Sequence, residues 1–215
     1  MMSDTTRTQL AALALSGRPL VICDVDEVVL HFTRDLEAFL GAREFYLEPA
    51  SFALTGNVRR IDTTEPLEGR HVAALIDLFF AERTLHMKPI DGAIQALLDI
   101  GEQADVVMLT NLPHEAGDHR RSNLAMHGLP YPVITNSGAK GPAIRTLASM
   151  TGAPAVFIDD SPSFIASAYE HAPSVHLIHF LQDQRFACHV EPMNFVSLRT
   201  ATWSEAKPHV LKLIG

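Results

Sequence analysis

Five short apolar, β-branched runs, Leu20–Val25, Asp105–Leu109, Pro132–Thr135, Ala155–Ile158 and Val175–Phe180, constrain this chain more than any other feature. Between the later runs lie helix-patterned stretches at Asp91–Gly101, His114–His127, Pro142–Met150 and Pro162–His171. Parallel strands need a crossover, usually helical, so this alternation predicts an α/β architecture: a Rossmann-like parallel sheet flanked by helices. The unbroken hydrophobicity of Val106–Leu109 and Ala155–Ile158 suits strands buried on both faces.

Residues 31–88 interrupt the alternation and read as an insertion, leaving 1–30 and 89–215 as the core domain. The insertion holds Val72, Leu75, Ile76, Phe79 and Phe80 at helical spacing, a stripe expected to pack inward. The tail after Phe180 is expected to add a final strand or helix, with Trp203–Ile214 as the helix despite Pro208.

At 215 residues and 47% apolar, the chain supports one sizeable domain, or one domain with an insertion. The formal charge of −8 argues against a nucleic-acid polymer as partner. The two cysteines, Cys23 and Cys188, have no metal-ligand spacing and fit a reducing compartment, so a cytoplasmic location is expected. Leu10–Leu15 is shorter than a signal core and reads as a short helix, and no apolar run is long enough to cross a bilayer.

Two strands end in acids. Val21-Ile-Cys-Asp24-Val-Asp26-Glu27 carries three carboxylates, with Asp24 and Asp26 on one side of an extended chain. Phe157-Ile-Asp159-Asp160-Ser161 carries two more, followed by Pro162 at a helix start. Clustered carboxylates raise one another's pKa unless a cation or a proton intervenes, so the pattern predicts bound Mg²⁺ or a shared proton. Ligands of open parallel sheets bind beyond the carboxyl ends of the strands, which would bring the clusters into one crevice. Thr110 and Asn111 end a third strand with donors suited to phosphate oxygens. Lys140, one of only four lysines, stands at a helix start where a cation would neutralise a phosphoryl group.

Read in order, Asp24-x-Asp26, Thr110, Lys140 and Asp159-Asp160 resemble the four-motif signature of the haloacid dehalogenase-like (HAD) superfamily, over about residues 20 to 165. The insertion falls where that superfamily places its C1-type cap. The resemblance implies a HAD-like core with a small helical cap at 31–88 and a Mg²⁺-dependent phosphomonoester hydrolase working through an aspartyl-phosphate. On matching positions, Asp24 is the nucleophile and Asp26 the acid and base. Thr110, Asn111 and Lys140 hold the phosphoryl group. Mg²⁺ is held by Asp24, Asp159 and the backbone carbonyl of Asp26, with Asp160 either supporting the metal site or capping a helix. The implied partner is a small phosphorylated metabolite, with neither nucleic-acid polymer nor membrane, and the chain is expected as a monomer or homodimer. Glu27-Val28-Val29 departs from the glycine or threonine that many members carry there.

A bacterial receiver domain also combines acids, a threonine and a lysine, but its acidic pair comes first, whereas here the pair closes the series. A 5′-nucleotidase-like phosphatase or a phosphomutase of the same fold stays open, as does a non-catalytic phosphate-binding or regulatory protein. The histidine pairs His114/His119 and His176/His179 lack a third metal ligand. Arg43, Arg59, Arg60 and Arg70 of the insertion either meet an anionic substrate or are solvated.

Overall fold

A computed structural model describes residues 2–215. Its elements run α1 (Asp4–Ala11), β1 (Leu20–Cys23), α2 (Phe32–Gly41), β2 (Phe45–Leu47), β3 (Val58–Arg60), α3 (Gly69–Arg83), α4 (Ala93–Gly101), β4 (Asp105–Thr110), α5 (Gly117–Met126) and β5 (Val133–Thr135). The chain continues through α6 (Gly141–Thr151), β6 (Ala155–Asp159), α7 (Pro162–His171), β7 (His176–Phe180), the short α8 (Gln184–Ala187), β8 (Leu198–Thr200) and α9 (Trp203–Ile214). All five strand candidates and all four helix-patterned stretches are present, and the tail supplies both a strand, β8, and a helix, α9.

Six parallel strands form one sheet in the order β5-β4-β1-β6-β7-β8. From β1 the chain builds outward on one side through β4 and β5, then returns to build β6, β7 and β8 on the other. The reversal leaves β1 central, with a crevice at the carboxyl ends of β1, β4 and β6. The two-residue period of the strands sorts their side chains into two cores. Val21, Cys23, Val106, Met108, Val156 and Ile158 face one, which α4, α5 and α9 cover. Leu20, Ile22, Val107, Leu109 and Phe157 face the other, which α1, α6 and α7 cover. Pro208 lies inside α9, which nevertheless continues to Ile214 because Trp203, Ala206, Val210 and Ile214 all pack into the first core.

Between β1 and α4 the insertion folds as α2, an antiparallel β2–β3 hairpin and α3, so it is not wholly helical. Its aromatic stripe divides. Val72, Phe79 and Phe80 are buried, while Leu75 and Ile76 are only partly so. Phe79 packs edge-on against both Phe32 and Phe39 of α2, whereas Ile76 and Phe80 reach a cavity over the sheet. No helix among the described residues is long and apolar enough to cross a membrane.

Candidate active site

The crevice gathers residues from three adjacent strand ends. Asp24 follows β1, Thr110 ends β4 and Asp159 ends β6. Lys140 reaches them from the N-cap position of α6, where Pro142 in the first turn starts the helix. Its Nζ donates to Asp24 Oδ1 at 2.5 Å and to Asp159 Oδ2 at 2.7 Å. All three side chains are buried. Asp24, Asp159 and Asp160 each offer a carboxylate oxygen within 4.8 Å of the others.

One lysine does not balance three carboxylates. Burial pushes Asp24 up to about 7, against the pull of Lys140, and Asp159 and Asp26 add to the rise. Burial also raises Asp159, opposed by Lys140. Asp160 is pushed well up by burial and by the charges of Asp159, Asp24 and Glu27. Burial works against the charge on Lys140, but Asp159 and Asp24 outweigh it and hold the ammonium charged. The donors are all oxygen, with Ser161 N–H on Asp159 Oδ1 at 2.8 Å and Lys140 on its Oδ2. This set fits a hard divalent cation such as Mg²⁺. The histidines stay outside it. His179 Nε2 bonds the main-chain oxygen of Asp160 at 2.9 Å, and His114 sits between Thr135 and Ser3.

Asp26 lies outside this acidic group, so its side chain is not among the clustered oxygens and only its main-chain carbonyl is left to serve a metal. The carboxylate is held elsewhere: Arg120 Nη2 donates to Oδ1 at 2.6 Å and Thr110 Oγ1 donates to Oδ2 at 3.1 Å. Asn111 Nδ2 donates to the Gly138 carbonyl at 2.8 Å, and Asn111 Oδ1 accepts from Asn136. Thr110 is thus turned toward Asp26, and Asn111 is partly engaged by the loop that leads to Lys140.

The turn after β1 is anchored on both sides. The N–H groups of Val29 and Leu30 both reach the Val25 carbonyl at 2.9 Å, Val25, Val28 and Val29 are fully buried, and Trp203 Nε1 of α9 donates to the Val28 carbonyl at 2.9 Å. Glu27 takes a left-handed backbone with φ of 62°, a conformation costing about 1–2 kcal/mol for a residue with a Cβ. Its carboxylate accepts the Thr33 N–H at 2.7 Å and so caps the start of α2, whose N-cap residue His31 makes no side-chain cap. Burial raises Glu27, and the Thr33 bond opposes that rise.

The sequence pattern assigns no role to Arg120. It has 0% exposure, and its Nε and Nη1 have no partner among the described residues. It lies with Asn123 and Leu124, at i+3 and i+4, on the buried face of α5.

Above the acids, core and insertion enclose a cavity of about 330 Å³ that reaches Asp24, Asp26, Lys140 and Asp160. Arg43, Arg59, Arg60 and Arg70 do not line it. They pair with the acids Glu82, Glu48, Asp62 and Glu68.

A scan against protein-family models gives no match, and a search of curated proteins gives none. Solved structures do match. The HAD-hydrolase YfnB from Bacillus subtilis, bound to magnesium, is 12% identical, with a TM-score of 0.58 over 90% of this chain and 98% of its own. A haloacid dehalogenase-like hydrolase from Xanthomonas campestris is 18% identical, with a TM-score of 0.56 over 92% of this chain and 96% of its own. The fold is that of the HAD-like hydrolases. A HAD family hydrolase from Deinococcus radiodurans, with bound phosphate and sodium, matches at 16% identity and a TM-score of 0.57, over 92% of this chain and 97% of its own. Dehalogenases are also among the matches.

Proposed function

We propose that this chain is a Mg²⁺-dependent phosphomonoester hydrolase that acts on a small phosphorylated metabolite through an aspartyl-phosphate at Asp24. One observation carries the reading. Asp24 lies beneath a cavity with Lys140 bound to it, and a second carboxylate, Asp26, lines the same cavity while held by Arg120 and Thr110. A halide leaves without a proton, whereas an alkoxide needs one, so a positioned Asp26 favours phosphoryl chemistry over dehalogenation. The magnesium in YfnB and the phosphate in the Deinococcus hydrolase support the same reading.

In this reading the Asp24 carboxylate attacks phosphorus, the ester P–O bond breaks, and Asp26 passes a proton to the departing oxygen. Asp26, now ionised, takes a proton from water, which attacks the phosphorus of the aspartyl-phosphate, releasing phosphate and restoring Asp24. Lys140 balances the charge on Asp24 and on the incoming phosphoryl oxygens. Arg120 and Thr110 keep Asp26 turned to the cavity. Asp24, Asp159, Asp160 and the Asp26 carbonyl would hold Mg²⁺, which supplies further positive charge for the phosphoryl group. The test is phosphate release from a panel of phosphorylated metabolites with Mg²⁺. Release that is lost with a chelator and in Asp24→Asn supports the reading, and release that persists in Asp24→Asn contradicts it.

A further inference from the structure

We infer that the cavity selects a phosphomonoester whose leaving group is uncharged and apolar or aromatic, and disfavours esters that carry a second anionic group. The inference rests on the phosphomonoesterase reading for the reacting end of the substrate and concerns the opposite end.

The wall comes from both parts of the molecule. The insertion contributes Phe32 of α2, Phe52 of the β2–β3 connection, and Ile76 and Phe80 of α3, while the core contributes Phe164 of α7 and Phe186 of α8. Phe32 and Phe80 stack with ring centroids 5.8 Å apart and 30° between planes. Phe52 meets Phe186 edge-on at 6.3 Å, closing the wall between insertion and core. Aromatic faces and edges of this kind gain from a flat or apolar partner. About 330 Å³ is at the low end for small-molecule sites, enough for a phosphoryl group and a substituent of roughly ring size.

Charge decides what that substituent lacks. Lys140 is the only basic side chain lining the cavity among the described residues, and Asp24 and Asp159 both claim its ammonium at the reacting end. Arg43, Arg59, Arg60 and Arg70 of the insertion pair with acids outside the cavity lining, as Arg34 does with Asp35, and the Arg185 guanidinium is taken by Asp183 and Glu37. A second phosphate or a carboxylate would meet no cation on the wall and would face Glu27 and Asp160. Nor is the cavity set up for an ammonium. Glu27 Oε2 accepts the Thr33 N–H, Asp183 is paired with Arg185, and Asp160 belongs to the acidic group beneath. Thr33, Asn111 and Gln182 are the uncharged polar side chains of the lining, so against a charged substituent it is the phenylalanines and Ile76 that discriminate.

Three phosphonates that cannot be hydrolysed isolate the distal group: 2-phenylethyl-, 2-carboxyethyl- and 2-aminoethylphosphonate, titrated calorimetrically into the full chain with Mg²⁺. The phenyl compound should bind about 10-fold or more tighter than either other, the scale on which an apolar pocket rewards burial. Equal affinities, tighter binding of the carboxylate or the amine, or no binding by any of the three would overturn the inference. Phe52→Arg, which places a cation in the wall, should reverse the order of the phenyl and carboxyl compounds. The wild-type titration decides the matter if that variant does not fold. Because binding is read without turnover, a phenyl preference with no ester hydrolysed would sink the hydrolase reading alone. Hydrolysis without the preference would sink this inference alone.

Discussion

Arg120 donates from Nη2 to Asp26 Oδ1 at 2.6 Å, from a position with no exposed surface, and so ties α5 to the turn after β1. Its task in the proposed mechanism is to position Asp26 rather than to touch substrate. Arg120→Met should lower kcat by about 10- to 100-fold, part of the worth of a placed acid and base, with KM changing much less. Arg120→Lys should recover part of the loss. A drop confined to KM, or a loss explained entirely by unfolding in a thermal melt, would argue against positioning.

Lys140 separates two buried carboxylates that no other cation among the described residues reaches. Lys140→Met should reduce kcat by at least about 100-fold, on the scale of losing a preorganised charge. It also leaves Asp24 and Asp159 repelling each other, so Mg²⁺ should raise its Tm by more than it raises that of the wild type. An equal or smaller rise would show that Lys140 and the metal do not share these acids.

Glu27 combines a left-handed backbone with a cap on α2. Glu27→Ala keeps the backbone cost and loses the cap, which should cost about 1 kcal/mol in denaturant unfolding. Glu27→Gly also loses the cap but relieves the backbone, and should come out close to wild type. If both variants lose the same stability, the left-handed conformation is not a burden at this position.

The parallel sheet and three of its strand ends were legible because β-branched runs, acids at strand termini and proline at helix starts are local signals. Asp24, Lys140 and Asp159 are found in this way, since each terminates or begins an element. Arg120 is hidden because α5 is polar on nearly every face, so apolar periodicity cannot report that Arg120 and Asn123 turn inward. The roles of Phe80 and Ile76 depend on how the insertion packs over the sheet. Their stripe spells a helix equally well whether a given residue ends in the core, as Phe79 does, or on the cavity. The hairpin within the insertion escapes notice because its strands are three residues each, too short for a two-residue period to register.

Asp24 sets a pH dependence. Its folded value of about 7 lies above the ordinary carboxylate value, so the folded protein binds a proton more tightly than the unfolded chain does. In chelator-treated protein the Asp24 contribution therefore favours folding at low pH and is lost as pH rises from about 4 to about 7. Asp159 and Asp160 are shifted in the same direction. Mg²⁺ must displace these protons, so its binding should release protons at pH 6 and fewer at pH 8, with affinity rising between them. Calorimetry in buffers of different ionisation enthalpy measures the release, and equal proton counts at both pH values would contradict the assignment.

Asp24 as nucleophile is tested by mass spectrometry of the protein quenched in acid during turnover of a phosphomonoester with Mg²⁺. A peptide carrying one covalent phosphoryl group at Asp24 is expected, absent in Asp24→Asn and absent without substrate. Steady phosphate release with Asp24 unmodified at every quench time, and persisting in Asp24→Asn, would contradict that role.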